Sequence, residues 1–228
     1  MRRIRERHVN KLLTTILVAV LWPAAVSAQS AQEWNQIKGE LAEALKTKGD
    51  AARGADAFVA CQGCHRKDGS GRTSGAYPRL SGQHATVLMK QISDIRAGRR
   101  NNPKMEPYVE DHLAEPADIA DIAVFLETLP ISTENGKGPG VNLAPGKVIY
   151  DHDCAECHGA NGEGSAEKFY PMVAAQHYRY LLRELRFIRD GDRGNSNPDM
   201  VKVIKSYRDA QLEALADYMA QMSPPARR

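Results

Sequence analysis

Apolar residues recur at helical spacing in two separate parts of the chain. The first part contains two stripes, formed by Leu88, Ile92 and Ile95, and by Ile119, Ile122, Phe125, Leu126 and Leu129. The second part repeats them as Tyr178, Leu181, Leu185 and Ile188, and as Leu212, Leu215, Met219 and Met222. Intervals of three and four residues bring side chains to one face of an α-helix, whereas no stretch alternates as a β-strand does. The pattern predicts an all-α fold.

Another helix is predicted upstream, in an N-terminal helical extension over residues 29–50. Its apolar stripe consists of Trp34, Ile37, Leu41 and Leu45. A stripe of this kind more often packs against the rest of the protein than it docks a partner. Both roles stay open for this extension.

The first 28 residues have the pattern of a signal peptide. Basic residues come first, an apolar run over residues 12–22 follows, and the small residues 26–28 offer a cleavage site. The apolar run ends at Pro23 and is shorter than the roughly 20 residues that cross a bilayer. We predict export to the periplasm with removal of residues 1–28, and an uncleaved membrane anchor is the alternative.

The charge balance argues against a nucleic-acid partner. The whole chain has 31 Lys and Arg against 28 Asp and Glu, which is a net charge of +3. Five of those basic residues and one acidic residue belong to the signal segment, so the rest of the chain carries −1. A basic surface for phosphate groups is therefore not indicated. Aromatic residues make up only 6% of the chain, so either aliphatic side chains or a non-protein group must fill the core.

The two parts match each other at an offset of 93 residues. The matched residues include Cys61, Cys64, His65, Pro78, Gln83 and His84 in the first part, and Cys154, Cys157, His158, Pro171, Gln176 and His177 in the second. One long offset, used once, indicates a duplicated domain. Residues 131–145 are rich in Gly, Asn, Ser and Thr and form the predicted linker. We predict one domain over residues 51–130 and another over residues 146–228.

Each copy contains a C-x-x-C-H motif, and the two motifs use all four cysteines of the chain. Cysteines at this spacing on a turn can form thioethers with the two vinyl groups of one porphyrin, and the adjacent imidazole can bind the iron. Zinc fits poorly, because the cysteine pairs lie in separate repeats. A thioredoxin-like redox pair would need strands. The motifs predict two covalently bound haem c groups, with disulfides as the alternative if haem is never attached.

Met105 and Met200 are the candidate second axial ligands of the two irons. Each ends an Asn-Pro-x-Met sequence. A loop that contains proline can present a thioether stiffly, and a Met/His pair raises the reduction potential of a haem. His84 and His177 are rival ligands, although their place beside a glutamine at the start of a helix is typical of surface or interdomain residues.

Four further residues are weaker candidates for the iron. Met89 lies in a helix stripe and is predicted to belong to the core. Met172 has no equivalent in the first copy. His112 and His152 have no match in the repeat and are predicted to be solvated.

Pro78 and Pro171 each follow a haem histidine by 13 residues. The ring nitrogen of such a histidine that does not bind the metal needs a hydrogen-bond acceptor, and a backbone carbonyl is a usual one. We assign this role to the two prolines, and a simple turn before the next helix is the alternative.

The sequence resembles the class I cytochromes c, and most closely the dihaem cytochrome c4 type. Members carry a haem motif, a Pro-x-Leu-x-Gly-Gln segment, a glycine turn, a ligating methionine and a helix of Asp-Ile-Ala-x-Tyr/Phe character. Residues 78–83 and 121–125 supply two of these features in the first copy, and the resemblance covers residues 51–224. Two departures are Ala175 in place of the usual Gly and Arg66 after the first haem motif.

The resemblance implies two tandem class I cytochrome c domains, each wrapped around one haem, that carry single electrons without a small-molecule substrate at iron. It suggests a terminal oxidase, a quinol-oxidising complex or a dehydrogenase subunit as partners, and peripheral association with the membrane stays open. The alternative is the cytochrome subunit of a dehydrogenase, such as a flavocytochrome c sulfide dehydrogenase. A dihaem enzyme is a third possibility. A thiosulfate dehydrogenase of that kind typically uses a cysteine ligand, however, and no cysteine is left over.

Overall fold

The computed structural model describes residues 34–113 and 115–226 of the chain. The predicted signal peptide and the first residues of the extension lie outside this part. Within it there are helices and no β-strand, and one isolated bridge joins Ser165 to Tyr170. The all-α prediction is confirmed. None of the described helices is long and apolar enough to cross a membrane.

The first half of the described chain contains six α-helices and one 3₁₀ turn. The helices are α1 (Gly39–Lys46), α2 (Ala51–Ala57), α3 (Gln62–His65), α4 (Ala85–Arg96), α5 (Glu106–Asp111) and α6 (Pro116–Thr128), and the 3₁₀ turn over Phe58–Cys61 precedes α3. Helices α2 and α4 both pack on α6. The predicted stripes form the contact, with Ile92 and Ile95 of α4 and Ile119 and Ile122 of α6 buried in one core.

The second half repeats this arrangement. Its helices are α7 (Leu143–Asp153), α8 (Ala155–His158), α9 (Tyr178–Asp190), α10 (Pro198–Ile204) and α11 (Asp209–Gln221). Helices α7 and α9 pack on α11 as α2 and α4 pack on α6. Leu181 and Leu185 of α9 and Leu212 and Leu215 of α11 are buried in the second core.

Local sequence signals account for where several helices begin. Asp50 accepts hydrogen bonds from the backbone N–H groups of Ala52 and Arg53, and so caps α2. Pro116 opens α6, where its missing N–H is not needed. The Asp118 carboxylate accepts from the backbone N–H of Glu115 at 3.0 Å. These hydrogen bonds fix where α2 and α6 begin.

The N-terminal extension is less helical than its apolar stripe predicts. Helix α1 begins only at Gly39, where Leu41 becomes buried against α4 and α6. Trp34 and Ile37 precede the helix, and Ile37 is 52% exposed. The Trp34 indole instead reaches the second half, where Nε1 donates to the backbone oxygen of Asn195 at 3.0 Å. The extension therefore contacts both halves.

Two glutamines join the halves in a symmetric way. Gln83 Nε2 donates to the Met172 carbonyl at 3.0 Å, and its Oε1 accepts from the Met172 backbone N–H at 2.9 Å. Gln176, located 93 residues after Gln83, makes the same two bonds to the backbone of Arg79, both at 2.9 Å. Both side chains are buried. The repeat seen in the sequence is thus an approximate twofold relation between the two halves.

Candidate haem sites

Each C-x-x-C-H motif folds as a short helical turn on the wall of one cavity. Cys61 ends the 3₁₀ turn, and His65 ends α3. In the second copy, the backbone N–H of His158 donates to the carbonyl of Cys154 at 2.9 Å. This turn brings both thiols and the imidazole of each motif to the same cavity.

The two motif histidines are buried and each is held by one hydrogen bond. His65 Nδ1 lies 3.1 Å from the carbonyl oxygen of Pro78, and His158 Nδ1 lies 2.9 Å from that of Pro171. Because a carbonyl only accepts, Nδ1 must carry the proton and Nε2 keeps a free electron pair. Burial lowers the pKa of both imidazoles, more than the hydrogen bond to the proline raises it. The neutral ring that results is the form that binds a metal.

The loops that carry these prolines return directly to the histidines. The backbone N–H of Gly71 donates to the His65 carbonyl at 3.0 Å, and that of Gly164 donates to the His158 carbonyl at 2.7 Å. Both glycines have a φ above +70°. A Cβ on Gly71 would lie only 2.4 Å from the Pro78 oxygen, so the close approach of proline to histidine needs glycine here.

The cavity has a volume of about 780 Å³ and receives side chains from both halves. Aliphatic residues of both cores form much of its wall, among them Leu88, Ile95, Leu181 and Leu185. Burial raises the pKa of the first cysteine of each motif, Cys61 and Cys154, and the pKa of Cys154 rises to about 12. A large apolar space with thiols, imidazoles and thioethers on its wall fits a porphyrin that binds covalently and through iron.

Met105 and Met200 both line this cavity. Met105 directly precedes α5, whereas Met200 lies within α10, so the two Asn-Pro-x-Met sequences fold differently. Each methionine is partly buried and packs against the core of its own half. This pair thus places a thioether in each half of the cavity, whose wall also includes Met172 and Met219.

The rival histidines lie in the interface between the halves and not among the residues that line the cavity. His84 Nε2 contacts the Glu163 carbonyl at 2.7 Å, and His177 Nε2 contacts the Ser70 carbonyl at 2.8 Å. The backbone N–H of Gly136 also donates to His177 Nδ1 at 2.9 Å. Their interpretation as interdomain polar residues agrees with these contacts.

Three of the four weaker candidates lie where the sequence predicts. Met89 is buried in the first core, and His112 and His152 are exposed. Met172 is buried and lines the cavity. Its backbone is bonded to Gln83 at the interface.

Sequence reasoning missed a set of three charged side chains and one amide on the cavity wall. Arg100 donates to Gln91 at 2.9 Å and to Glu184 at 3.0 Å, while Arg193 donates to Glu184 at 3.1 Å and to Gln91 at 2.9 Å. We call these four residues the arginine ring. Gln91 and Arg100 become Glu184 and Arg193 after 93 residues, so the repeat itself contained the signal.

A tyrosine ring lies beside the motif histidine in each half. The ring of Tyr77 is 6.0 Å from that of His65, and the ring of Tyr170 is 6.3 Å from that of His158. Trp34 stacks on Tyr170 at 6.0 Å and also lines the cavity. No equivalent of Trp34 stacks on Tyr77 among the described rings.

Two helical halves, each with a C-x-x-C-H turn, a buried imidazole held by a carbonyl, and a methionine on the same cavity, define a dihaem c-type cytochrome. A family model for cytochrome c matches residues 51–130 and 143–223. The chain belongs to the cytochrome c family, with two domains of the cytochrome c4 type and two covalently bound haem c groups.

Several known proteins are similar to this chain. The thiosulfate dehydrogenase electron acceptor of Stutzerimonas stutzeri (strain A1501) is 32% identical over 176 residues, which is 73% of this chain and 80% of that protein. The crystal structure of reduced recombinant cytochrome c4 from Pseudomonas stutzeri matches with a TM-score of 0.70 at 26% identity, over 77% of this chain and 100% of that chain. Thiosulfate dehydrogenase from Marichromatium purpuratum matches with a TM-score of 0.64 at 33% identity, over 82% of this chain and 43% of that chain.

Proposed function

We propose that this protein carries single electrons in the periplasm between redox partners, through two haems that are each ligated by a histidine and a methionine. A haem iron in such a site accepts and releases one electron at a time. The observation that carries the proposal is that the candidate ligands of both haems line one largely apolar cavity. The periplasmic location rests on the signal-peptide pattern of residues 1–28.

The protein's own residues have three tasks in this proposal. The motif cysteines hold the porphyrins covalently, with Cys61 and Cys64 in the first half and Cys154 and Cys157 in the second. His65 and His158 supply one ligand each, and the carbonyls of the bonded prolines fix the ring orientation. Met105 and Met200 supply the other ligand, which leaves no iron position for a small-molecule substrate.

The apolar wall of the cavity supports electron transfer in its own right. Aliphatic side chains exclude water, so few solvent dipoles have to reorient when an electron arrives or leaves. A Met/His pair in such surroundings favours a relatively positive reduction potential. These features suit a carrier that takes electrons from a dehydrogenase or quinol-oxidising complex and delivers them to a terminal oxidase.

The similar proteins favour one class of donor. One relative is named as the electron acceptor of a thiosulfate dehydrogenase, and a thiosulfate dehydrogenase is among the similar structures. We therefore propose that a dehydrogenase acting on thiosulfate or a comparable reduced sulfur compound reduces this cytochrome, either as a separate partner or as a subunit of the same complex.

Spectroscopy of the purified oxidised protein tests the ligands. We expect two haems per chain and the charge-transfer band of a thioether bound to ferric iron. Met105→Ala should remove this band for one haem and Met200→Ala for the other, because each thioether serves its own half. Met172→Leu is the matched control, since Met172 also lines the cavity but should leave the band intact. A high-spin signal in the wild type, or loss of the band in the control, contradicts the ligand set.

Mixing experiments test the donor. Purified thiosulfate dehydrogenase and thiosulfate are added to the oxidised cytochrome, and haem reduction is followed by absorbance. We expect reduction only when enzyme and thiosulfate are both present. Reduction by a quinol-oxidising complex, with none by the dehydrogenase, would exclude the proposed donor and leave the carrier function in place.

A further inference from the structure

Arg79 is a charged side chain buried between the two halves of the protein. It is only 2% exposed. Its guanidinium donates to the carbonyls of Ala174 at 2.9 Å and Ala175 at 3.2 Å, and also to that of Ser81. Burial lowers its pKa to about 10, so the group still carries its charge at neutral pH.

This charge has no carboxylate partner in the part of the chain that the structure describes. Other buried cations of the described chain do have one. Lys90 pairs with Asp94 at 2.6 Å, and Arg100 and Arg193 share Glu184. Carbonyl oxygens satisfy the hydrogen bonds of Arg79, but they do not neutralise its charge. An isolated buried charge costs several kcal/mol, and buried ions are normally paired.

The position of Arg79 points to the missing anion. Arg79 lines the cavity in which we place the porphyrins. Its guanidinium uses one donor on each of three nitrogens for the carbonyls, and a guanidinium has five N–H groups in all. Two donors are therefore left for an acceptor. The residue 93 positions later is Met172, which also lines the cavity and has no charge. Positions 79 and 172 thus hold one arginine where strict symmetry would give two or none.

We propose that Arg79 binds a propionate carboxylate of a haem in this cavity and, as a buried cation, stabilises the reduced form of that haem. The inference rests on the proposed two-haem function. A haem gains one negative charge when it is reduced. A nearby cation in a medium of low dielectric constant favours that state and so raises the reduction potential. Because only one half supplies the arginine, we expect its effect to differ between the two haems.

Two variants of similar size separate the charge of Arg79 from its hydrogen bonds. Arg79→Lys keeps a positive charge, whereas Arg79→Gln keeps polar contacts and removes it. The haem-loaded protein is titrated spectroelectrochemically, and the two midpoints are assigned to individual haems by their shifted haem-methyl NMR signals. We expect Arg79→Gln to shift the equilibrium of at least one haem about tenfold toward the oxidised form, which corresponds to about 59 mV for one electron. Arg79→Lys should recover most of that shift.

Gln176→Leu is the control for damage to the interface. It removes two hydrogen bonds to the Arg79 backbone but leaves the guanidinium in place. Its midpoints should stay near the wild-type values even though its stability falls.

Two results would overturn the assignment. One is unchanged midpoints in Arg79→Gln, and the other is an equal shift in Arg79→Gln and Arg79→Lys. If Arg79→Gln does not retain haem, the haem content of Arg79→Gln and Arg79→Lys is compared in place of their midpoints. Recovery in Arg79→Lys supports the role of charge, and loss in both contradicts it. The count of two haems in the wild type is measured separately, so failure of the carrier proposal would be recognised as such.

Discussion

Glu184 is the central acceptor of the arginine ring. Its side chain is 12% exposed and lies 3.0 Å from Arg100 and 3.1 Å from Arg193. Two arginines therefore share one carboxylate, and the matching acceptor in the first half, Gln91, is neutral. The arginine ring carries a net positive charge that depends on Glu184 for its partial balance.

Removal of that carboxylate should strongly destabilise the fold. Glu184→Gln leaves Arg100 and Arg193 without the carboxylate that they share, and breaking a buried pair in this way costs about 3 kcal/mol. Urea unfolding followed by circular dichroism measures the loss. The reverse exchange in the other half, Gln91→Glu, adds a second carboxylate and should leave the protein at least as stable as the wild type. A neutral effect of Glu184→Gln would contradict this view of the ring.

The same residue predicts how stability depends on pH. Burial raises the pKa of Glu184, but Arg100, Arg193 and Arg183 outweigh burial and hold it below the ordinary value of 4.5. A carboxyl with a depressed pKa in the folded state stabilises the fold fully above the unfolded pKa and progressively less as the pH falls toward the folded pKa. Stability should therefore drop below about pH 4.5. Glu184→Gln should show a smaller drop over the same interval, and equal slopes in both proteins would contradict the assignment.

At the scale of secondary-structure elements, the segment over residues 34–46 contacts both halves. Helix α1 packs in the first half through Leu41 and Ala44. Trp34 contacts the second half through Tyr170 and Asn195, and the Lys90 ammonium lies 5.2 Å from its ring. The segment holds the second half against the first at the wall of the haem cavity.

Trp34→Ala should weaken this connection. The change removes one hydrogen bond, one aromatic stack and one cation–π contact, which together contribute about 2–4 kcal/mol. We expect a lower melting temperature with both haems retained. Ile37→Ala is the matched control, because Ile37 is 52% exposed and should change stability by less than about 0.5 kcal/mol. A loss for Trp34→Ala that is as small as the loss for Ile37→Ala would contradict the role of the Trp34 side chain.

The sequence predicted the helices and the haem motifs well because both are local patterns. Helical spacing and C-x-x-C-H are visible within a few residues, and the stripes through Ile92 and through Ile119 both lie on helices, as expected. Trp34 was different, because an apolar residue four or five positions ahead of a helix looks like part of it. The contact with Tyr170, which is distant in the sequence, shows that Trp34 lies outside the helix and packs on the second half.

At the scale of the whole molecule, the interface between the halves is built mainly from pairs that are far apart in the chain. Gln176 bonds to Arg79 across 97 residues, and Gln83 bonds to Met172 across 89. The repeat made the glutamines visible, but a match within one sequence does not say which residues touch. The exchange of Arg79 for Met172 is one sign in the sequence that the interface is asymmetric, and the exchange of Gly82 for Ala175 is another.

This interface predicts that the two halves unfold together. They share a cavity and bury hydrogen-bonded side chains against each other, so neither half keeps its surroundings when the other opens. Denaturation of the haem-loaded protein should give a single transition, with coincident midpoints for haem absorbance and for far-ultraviolet circular dichroism. The transition slope should correspond to the whole described chain, because both halves expose their surface at once.

Disruption of the paired glutamines should separate the two events. Gln83→Leu and Gln176→Leu each leave two buried backbone groups without partners, at a cost of about 2–4 kcal/mol per site. Together they weaken the contact between the halves while each helical core stays intact. We expect the double variant to unfold in two steps and each single variant to stay closer to one step. Two separate transitions in the wild type would show instead that the halves are independent domains whose contact adds little stability.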